Sequence, residues 1–293
     1  MPNLRVSWVM MVPVLLLLGL GTAAALPSSL SVVGDEVTTD FKSFMNNLEA
    51  DAEDLLTAPL HVRELFAGDG LVSRPAFSYT LLGTGALLGG AFALDQTLRS
   101  HLRHMSPRDA DRLQDLSYGT VGAGTGLLYA YGLARGDPRA RDYALTATEG
   151  AGVAALMALG LKAAFGRLRP SQTSHSTAFF RGGASFVSGD VTPLFGLAAG
   201  ISEYFDNTWS VAGPVYALAL LDGFGRMGHN AHWFSDVVGA GLLGVGTTEL
   251  LLWLHRQHQQ DPSRFRLFPV TAPADRHGQP TARPAGLGLS FNF

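Results

Sequence analysis

Three short segments in the second half of the chain concentrate its ionisable chemistry. They are Lys162 to Pro170, Val187 to Asp190, and Gly225 to Asp236. Between them they place Lys162, Arg169, Arg226, His232, Asp190 and Asp236 in an otherwise apolar helical stretch. Charged groups are costly in such a setting unless they meet a ligand or each other. A ligand that compensates several buried cations at once is a phosphate.

The spacing sharpens this. Lys162 and Arg169 are seven apart and share one helix face if the helix continues. Pro170 then ends the helix and presses Arg169 towards an extended backbone, from which it can turn into a pocket. Arg167 reads as a solvated neighbour. The plainer alternative for this segment is a basic helix terminus favoured by the macrodipole. His232 and Asp236 stand at i and i+4, so the carboxylate can hold the imidazole's tautomer and orientation. An oriented imidazole with a free nitrogen is a nucleophile or a base. Arg226 sits six residues upstream, at the end of the preceding apolar helix. A His–Asp pair alone is more often structural; three cations beside it are harder to explain that way. Ser188-Gly189-Asp190 precedes another apolar helix, where exposed N–H groups suit an anion, although Ser-Gly-Asp is also an ordinary turn and cap. His229, His232 and Asp236 can be drawn as metal ligands, but the neighbouring arginines and the lack of a further carboxylate or Cys argue against it, and no metal is expected.

These groups need elements to position them. Six apolar stretches follow residue 76, at 76–94, 117–134, 142–165, 193–204, 210–224 and 235–254. A mixed-charge segment, 96–116, separates the first two. No alternating strand pattern appears there, so the fold class expected is an all-α bundle of about six core helices. The first stretch is uncharged and long enough to span a bilayer, whereas the third carries Glu149 and the fourth is short. The balance favours an exported bundle, membrane-associated at most, over a six-span protein.

Residues 1–25 read as a signal peptide: Arg5, an apolar core from Val12 to Leu20, and Ala23-x-Ala25. An uncleaved anchor helix is the alternative. Residues 26–75 contain an amphipathic helix with Phe41, Phe44, Met45 and Leu48 on one face and acids on the other. Residues 76–256 form the core, and 257–293 a polar, proline-rich tail. Leu287, Leu289, Phe291 and Phe293 alternate with small or polar residues, which predicts a short terminal β-strand or a hairpin with Phe265 to Phe268. Only 15% of residues are charged and the net charge is −3, which gives no footprint for nucleic acid. With no cysteine, an exported chain must be stabilised by packing.

The three segments resemble the motifs of the type 2 phosphatidic acid phosphatases and vanadium haloperoxidases: Lys-x6-Arg-Pro, Pro-Ser-Gly-His and Ser-Arg-x5-His-x3-Asp. Lys162, Arg169 and Pro170 match the first, Ser188 and Gly189 the middle of the second, and Arg226, His232 and Asp236 the third. The order and spacing fit over residues 76–256, and the export signal resembles the exported bacterial branch. The resemblance implies a helical bundle with a site at its end. It implies that His232 attacks phosphorus to form a phosphohistidine and that Asp236 orients it. Lys162, Arg169 and Arg226 would clamp the phosphoryl oxygens, with backbone N–H groups of Ser188 and Gly189. No cofactor is implied.

Three positions depart from the pattern. Asp190 stands where the family has a His that protonates the leaving oxygen, Val187 replaces the Pro, and Gly225 replaces the Ser. A carboxylic acid can serve as general acid if a nearby phosphate dianion raises its pKa, and His229 is a second candidate. Loss of the serine hydroxyl removes about 1–3 kcal/mol of transition-state binding. The expectation is an exported phosphatase of the periplasm or cell envelope. Its substrates would be phosphomonoesters or pyrophosphates of a phosphorylated small molecule or, by resemblance, a lipid. The alternative is an impaired phosphate- or phospholipid-binding protein, or a structural envelope component. A vanadate-dependent haloperoxidase is a third reading, disfavoured by the chain's length.

Overall fold

The computed structural model describes residues 28–57, 75–260, 265–271 and 284–291. The expected signal peptide lies outside the described residues. Those up to Leu251 belong to one compact unit and those from Leu252 onward to a second. The fold is helical, with seven helices among the described residues. They are α1 (Ser28–Thr57), α2 (Pro75–Leu102), α3 (Pro107–Arg135), α4 (Pro138–Phe165), α5 (Val191–Tyr204), α6 (Trp209–Gly228) and α7 (Phe234–Gln260).

Local chemistry explains the boundaries. Before α3, the Ser106 hydroxyl accepts the Asp109 N–H at 3.1 Å and Pro107 opens the first turn. Before α4, the Asp137 carboxylate accepts the Ala140 N–H at 3.2 Å, with Pro138 following. These caps correct the reading of 96–116 as a connection. α2 runs on to Leu102 and α3 begins at Pro107, so the mixed charges lie largely on helices. Charge density at a surface face looks like a linker when the partner face is not known. Gly166 ends α4 in the left-handed conformation, φ 49°, its N–H bonded to the Lys162 carbonyl. That fixes Lys162 in the last turn of α4.

α4 packs on α5, α3 on α6, and α3 and α6 both on α5. One core joins Val121 of α3, Ala147 and Ala151 of α4, Leu194 and Leu197 of α5, and Val215 of α6. A second lies under the site and joins Ala158 of α4, Val187, Val191 of α5, Met227 of α6, and Val237 and Ala240 of α7. Small residues dominate both, which lets the helices approach closely. α1 docks on α3 and α4 through Asp40. Asp40 accepts from the Tyr129 hydroxyl at 3.0 Å and pairs with Arg141 at 3.0 Å. Helices Pro138–Phe165 and Phe234–Arg256 are long and apolar enough to cross a membrane.

One core group opposes folding. Asp222 of α6 is wholly buried, and neither carboxylate oxygen has a hydrogen-bond partner among the described residues. Burial, reinforced by Asp190, pushes its pKa up to about 8 against the pull of Arg226. A carboxyl whose folded-state pKa exceeds its unfolded value penalises folding progressively above the unfolded pKa and fully above the folded one. Asp222→Asn is therefore expected to stabilise the fold by roughly 1–3 kcal/mol at pH 8, raising Tm by several degrees. The gain should shrink towards pH 5. Thermal unfolding followed by circular dichroism at both pH values checks it, and a variant less stable than wild type at pH 8 refutes it.

Candidate active site

His232 and Asp236 lie at the start of α7, where the chain leaves α6, reverses through residues 229–231 and re-enters a helix at Phe234. His232 is almost wholly buried and Asp236 fully so. The Asp236 carboxylate closes the first turn by accepting the Trp233 N–H at 2.8 Å. The imidazole Nδ1 lies 2.8 Å from the Ser185 carbonyl oxygen and 3.6 Å from Asp236 Oδ2. The sequence pattern pointed to Asp236 as the orienting group. The hydrogen bond that fixes the tautomer is instead to the Ser185 carbonyl, and Asp236 is a near charge behind it. An N–H at Nδ1 leaves the Nε2 lone pair free. Burial, aided by Lys162 and Arg226, holds the imidazole below its ordinary pKa against the pull of Asp236, so the ring is neutral at pH 7. Burial raises the Asp236 pKa, but His232, Arg167 and Ser185 outweigh it and keep the group ionised.

The cations gather around this pair. The Lys162 ammonium donates to the carbonyls of Ala184 (3.1 Å) and Val187. Gly189 sits over its stem: a Cβ there would lie 3.2 Å from Lys162 Cε. Arg226, in the last turn of α6, pairs with Asp190 at 2.9 Å, and its Nε is buried without a partner. Arg169 is half-buried, and its charge presses on Lys162. The Ser188 hydroxyl is buried and unpartnered, but its backbone N–H is already bonded to the Asp236 carbonyl at 3.2 Å. The hydroxyl, rather than the expected N–H, is thus the donor Ser188 can offer. Asp190 immediately precedes α5 without capping it, because its carboxylate is turned to Arg226.

Burial, together with Arg169 and Arg226, lowers the Lys162 pKa to about 8, against Asp236 and Asp190. The ammonium is charged below that value and neutral above it. Competitive inhibition by inorganic phosphate is therefore expected to weaken as pH rises through about 8, and Lys162→Gln should remove that limb. A limb that persists in the variant would assign it to another group.

Arg167 is not a solvated neighbour. It is completely buried. Its Nη1 donates to Asp236 Oδ1 at 2.5 Å and to the Ser235 hydroxyl at 2.7 Å, and its Nη2 donates to Asp95 Oδ2 at 2.7 Å. Nε and Nη2 also reach the Ser176 carbonyl. The guanidinium carbon lies over the rings of Phe92 (5.0 Å) and Phe179 (4.8 Å). The Ser185 hydroxyl donates to Asp236 Oδ2 at 2.5 Å. Sequence reasoning missed Arg167, Asp95 and Ser185. The available signal was Arg167 itself, an arginine inside an apolar run; nothing local marked the other two.

Two further positions are placed. His229, the second candidate acid, bonds to Asp111 at 3.2 Å at the edge of α3. Gly225 faces α3: a Cβ there would lie 2.6 Å from the Ala110 carbonyl oxygen and 2.8 Å from Gln114 Cγ. The close crossing of α3 and α6 leaves no room for the serine of the related motif.

Residues 143–260 match the family model described as the PAP2 superfamily. Among curated proteins, a lipid A 1-phosphatase of Porphyromonas gingivalis is 33% identical over 107 residues, 36% of this chain. The matched stretch spans only 22% of that relative's length. No solved structure gives a significant match. Lys162, Arg169, Ser188, Asp190, Arg226, His232 and Asp236 all fall within the residues matched by the family model.

Proposed function

We propose, from the match of residues 143–260 to the PAP2 superfamily model, that this chain is an exported, metal-independent phosphatase. It hydrolyses lipid phosphomonoesters or pyrophosphates through a phosphohistidine on His232. The observation that carries this is the neutral, buried imidazole whose Nδ1 is held by the Ser185 carbonyl while Lys162 and Arg226 bear on it. In the first half-reaction Nε2 attacks phosphorus, the P–N bond forms, the P–O bond breaks, and the leaving oxygen takes a proton from Asp190. In the second, water attacks phosphorus, the P–N bond breaks and its electron pair returns to His232 Nε2, and Asp190, now ionised, accepts the proton of the water. Lys162, Arg169, Arg226 and the Ser188 hydroxyl stabilise the charge on the transferring group. Phosphate and Asp190 compete for Arg226, so substrate entry frees the carboxylate from its ion pair beside the leaving oxygen.

A lipid substrate at a membrane surface is supported by the apolar surface near the site. Phe180 is 75% exposed, beside a cluster of Phe92, Phe165, Phe179 and Phe186. Leu82, Leu87, Leu156 and Leu159 are also exposed. The named activity of the curated relative points the same way. The tail is read as ending in a small hairpin, a reading supported by the antiparallel pairing of 265–271 with 284–291.

The test is phosphate release by purified protein from phosphatidate, isoprenyl pyrophosphate, lipid A and an aryl phosphate, in detergent micelles. Release from the lipids in preference to the aryl ester supports the proposal. The Asp190–Arg226 pair also favours a second reading, in which the carboxylate quenches the clamp and the protein binds phosphate without turnover. Phosphate binding with no release from any substrate would establish that reading and remove the first.

A further inference from the structure

The matched family segment begins at residue 143, yet its buried charge network is completed from outside it. Asp95 of α2 is wholly buried. Its Oδ1 accepts the Ser235 N–H at 2.8 Å, and its Oδ2 accepts the Ser235 hydroxyl at 2.8 Å and Arg167 Nη2 at 2.7 Å. Every contact is one in which Asp95 accepts, which is the pattern of an ionised carboxylate.

The charges then decide what Asp95 does. Arg167 touches both Asp236 and Asp95. Without Asp95, Arg167 and Asp236 form a neutral pair, and Asp236 is a weak partner for positive charge appearing on His232. With Asp95, the three groups carry one net negative charge, buried in a low-dielectric interior where it is felt strongly. Attack by Nε2 turns a neutral ring into a cationic phosphohistidine, so this negative charge is useful in the transition state rather than in substrate binding. Asp95 also holds the Ser235 N–H, one residue before Asp236, and so fixes the first turn of α7 that carries the carboxylate.

We propose that Asp95 is a positioning residue for the reaction: through Arg167 and Ser235 it sets the place of Asp236 and returns to it the negative charge that Arg167 would otherwise neutralise. This rests on the phosphohistidine reading given above. Asp95 touches no substrate in this arrangement, so its effect belongs in kcat and not in binding.

The experiment compares wild type, His232→Ala, Asp95→Asn and Asp95→Glu in phosphate release, with inorganic phosphate as competitive inhibitor and thermal unfolding as a check on folding. Asp95→Asn is expected to lower kcat about 10- to 100-fold while KM and the inhibition constant stay within about threefold. Asp95→Glu, which keeps the charge, should retain more of the rate. If Asp95→Asn does not fold, the pair Asp95→Glu and Asp95→Gln, equal in size and different in charge, carries the same comparison. A folded neutral variant with the wild-type kcat overturns the proposal. So does a loss that appears equally in KM and the inhibition constant, or equal rates for the charged and neutral members of the pair. Activity that survives in His232→Ala, or is absent from wild type, removes the phosphohistidine reading itself and this inference with it. Loss in His232→Ala with no loss in Asp95→Asn removes this inference alone.

Discussion

Replacing His232 with alanine is expected to reduce phosphate release by about ten-thousand-fold or more, the scale seen when a covalent nucleophile is removed. The size follows from the site's construction. On the proposed mechanism the other groups around the pocket bind or orient, and His232 alone attacks phosphorus. Nothing else in the pocket need move. Among the described residues the imidazole is held by the Ser185 carbonyl, and its removal leaves a gap at a buried position. Lys162, Arg169, Arg226 and the Ser188 hydroxyl remain, so inorganic phosphate should bind the variant within a fewfold of wild type. Rapid acid-free quenching with labelled substrate should trap a base-stable, acid-labile phosphoryl group on wild type and none on the variant. Equal turnover by the two proteins would end the phosphohistidine mechanism.

The largest loss of stability is expected at Arg167. Substituting methionine keeps the length of the side chain and its place against Phe92 and Phe179, but strips two buried carboxylates of their shared cation. Breaking a buried ion pair from one side costs about 3–5 kcal/mol, because the partner's charge remains in the interior. For a chain of this size that is roughly 6–20 °C in Tm. The sign with pH is fixed. Burial already holds the Asp95 pKa above its ordinary value; without Arg167 it rises further, and the Asp236 pKa rises too. The deficit is then complete at neutral pH and shrinks as pH falls and the carboxyls protonate. Pairing the substitution with Asp95→Leu should recover part of the stability. Thermal unfolding between pH 5 and pH 8 measures this, and a deficit that does not change with pH would mean that lost packing, not uncompensated charge, is the cause.

These two residues mark the reach of the sequence. Lys162, Arg226, His232 and Asp236 come near one another because local signals end or start the helices beside them; Arg169 was expected on a helix running to Pro170 and lies instead in the loop after Gly166, which ends α4 at Phe165. Gly166 ends α4 one turn after Lys162, and the turn before Phe234 sets the register of Asp236. The helical character was legible from apolar stretches without alternation. The environment of Arg167 was not, because its partner lies 72 residues upstream, between the apolar run 76–94 and the mixed-charge segment 96–116. The acceptor for the His232 ring is a backbone carbonyl, which no side-chain pattern reveals. The same holds for Ser188, whose N–H was expected at the phosphate but is tied to the Asp236 carbonyl.

The tight crossing at Gly225 has a historical consequence. A serine there meets the Ala110 carbonyl and the stem of Gln114, so the hydroxyl of the related motif cannot be regained by one substitution. Helix α3 would have to yield first, and a change that loosens it brings no benefit until the serine arrives. The order of steps that led here is easier to walk forward than back. Any phosphate pocket built on this backbone has to work without that hydroxyl.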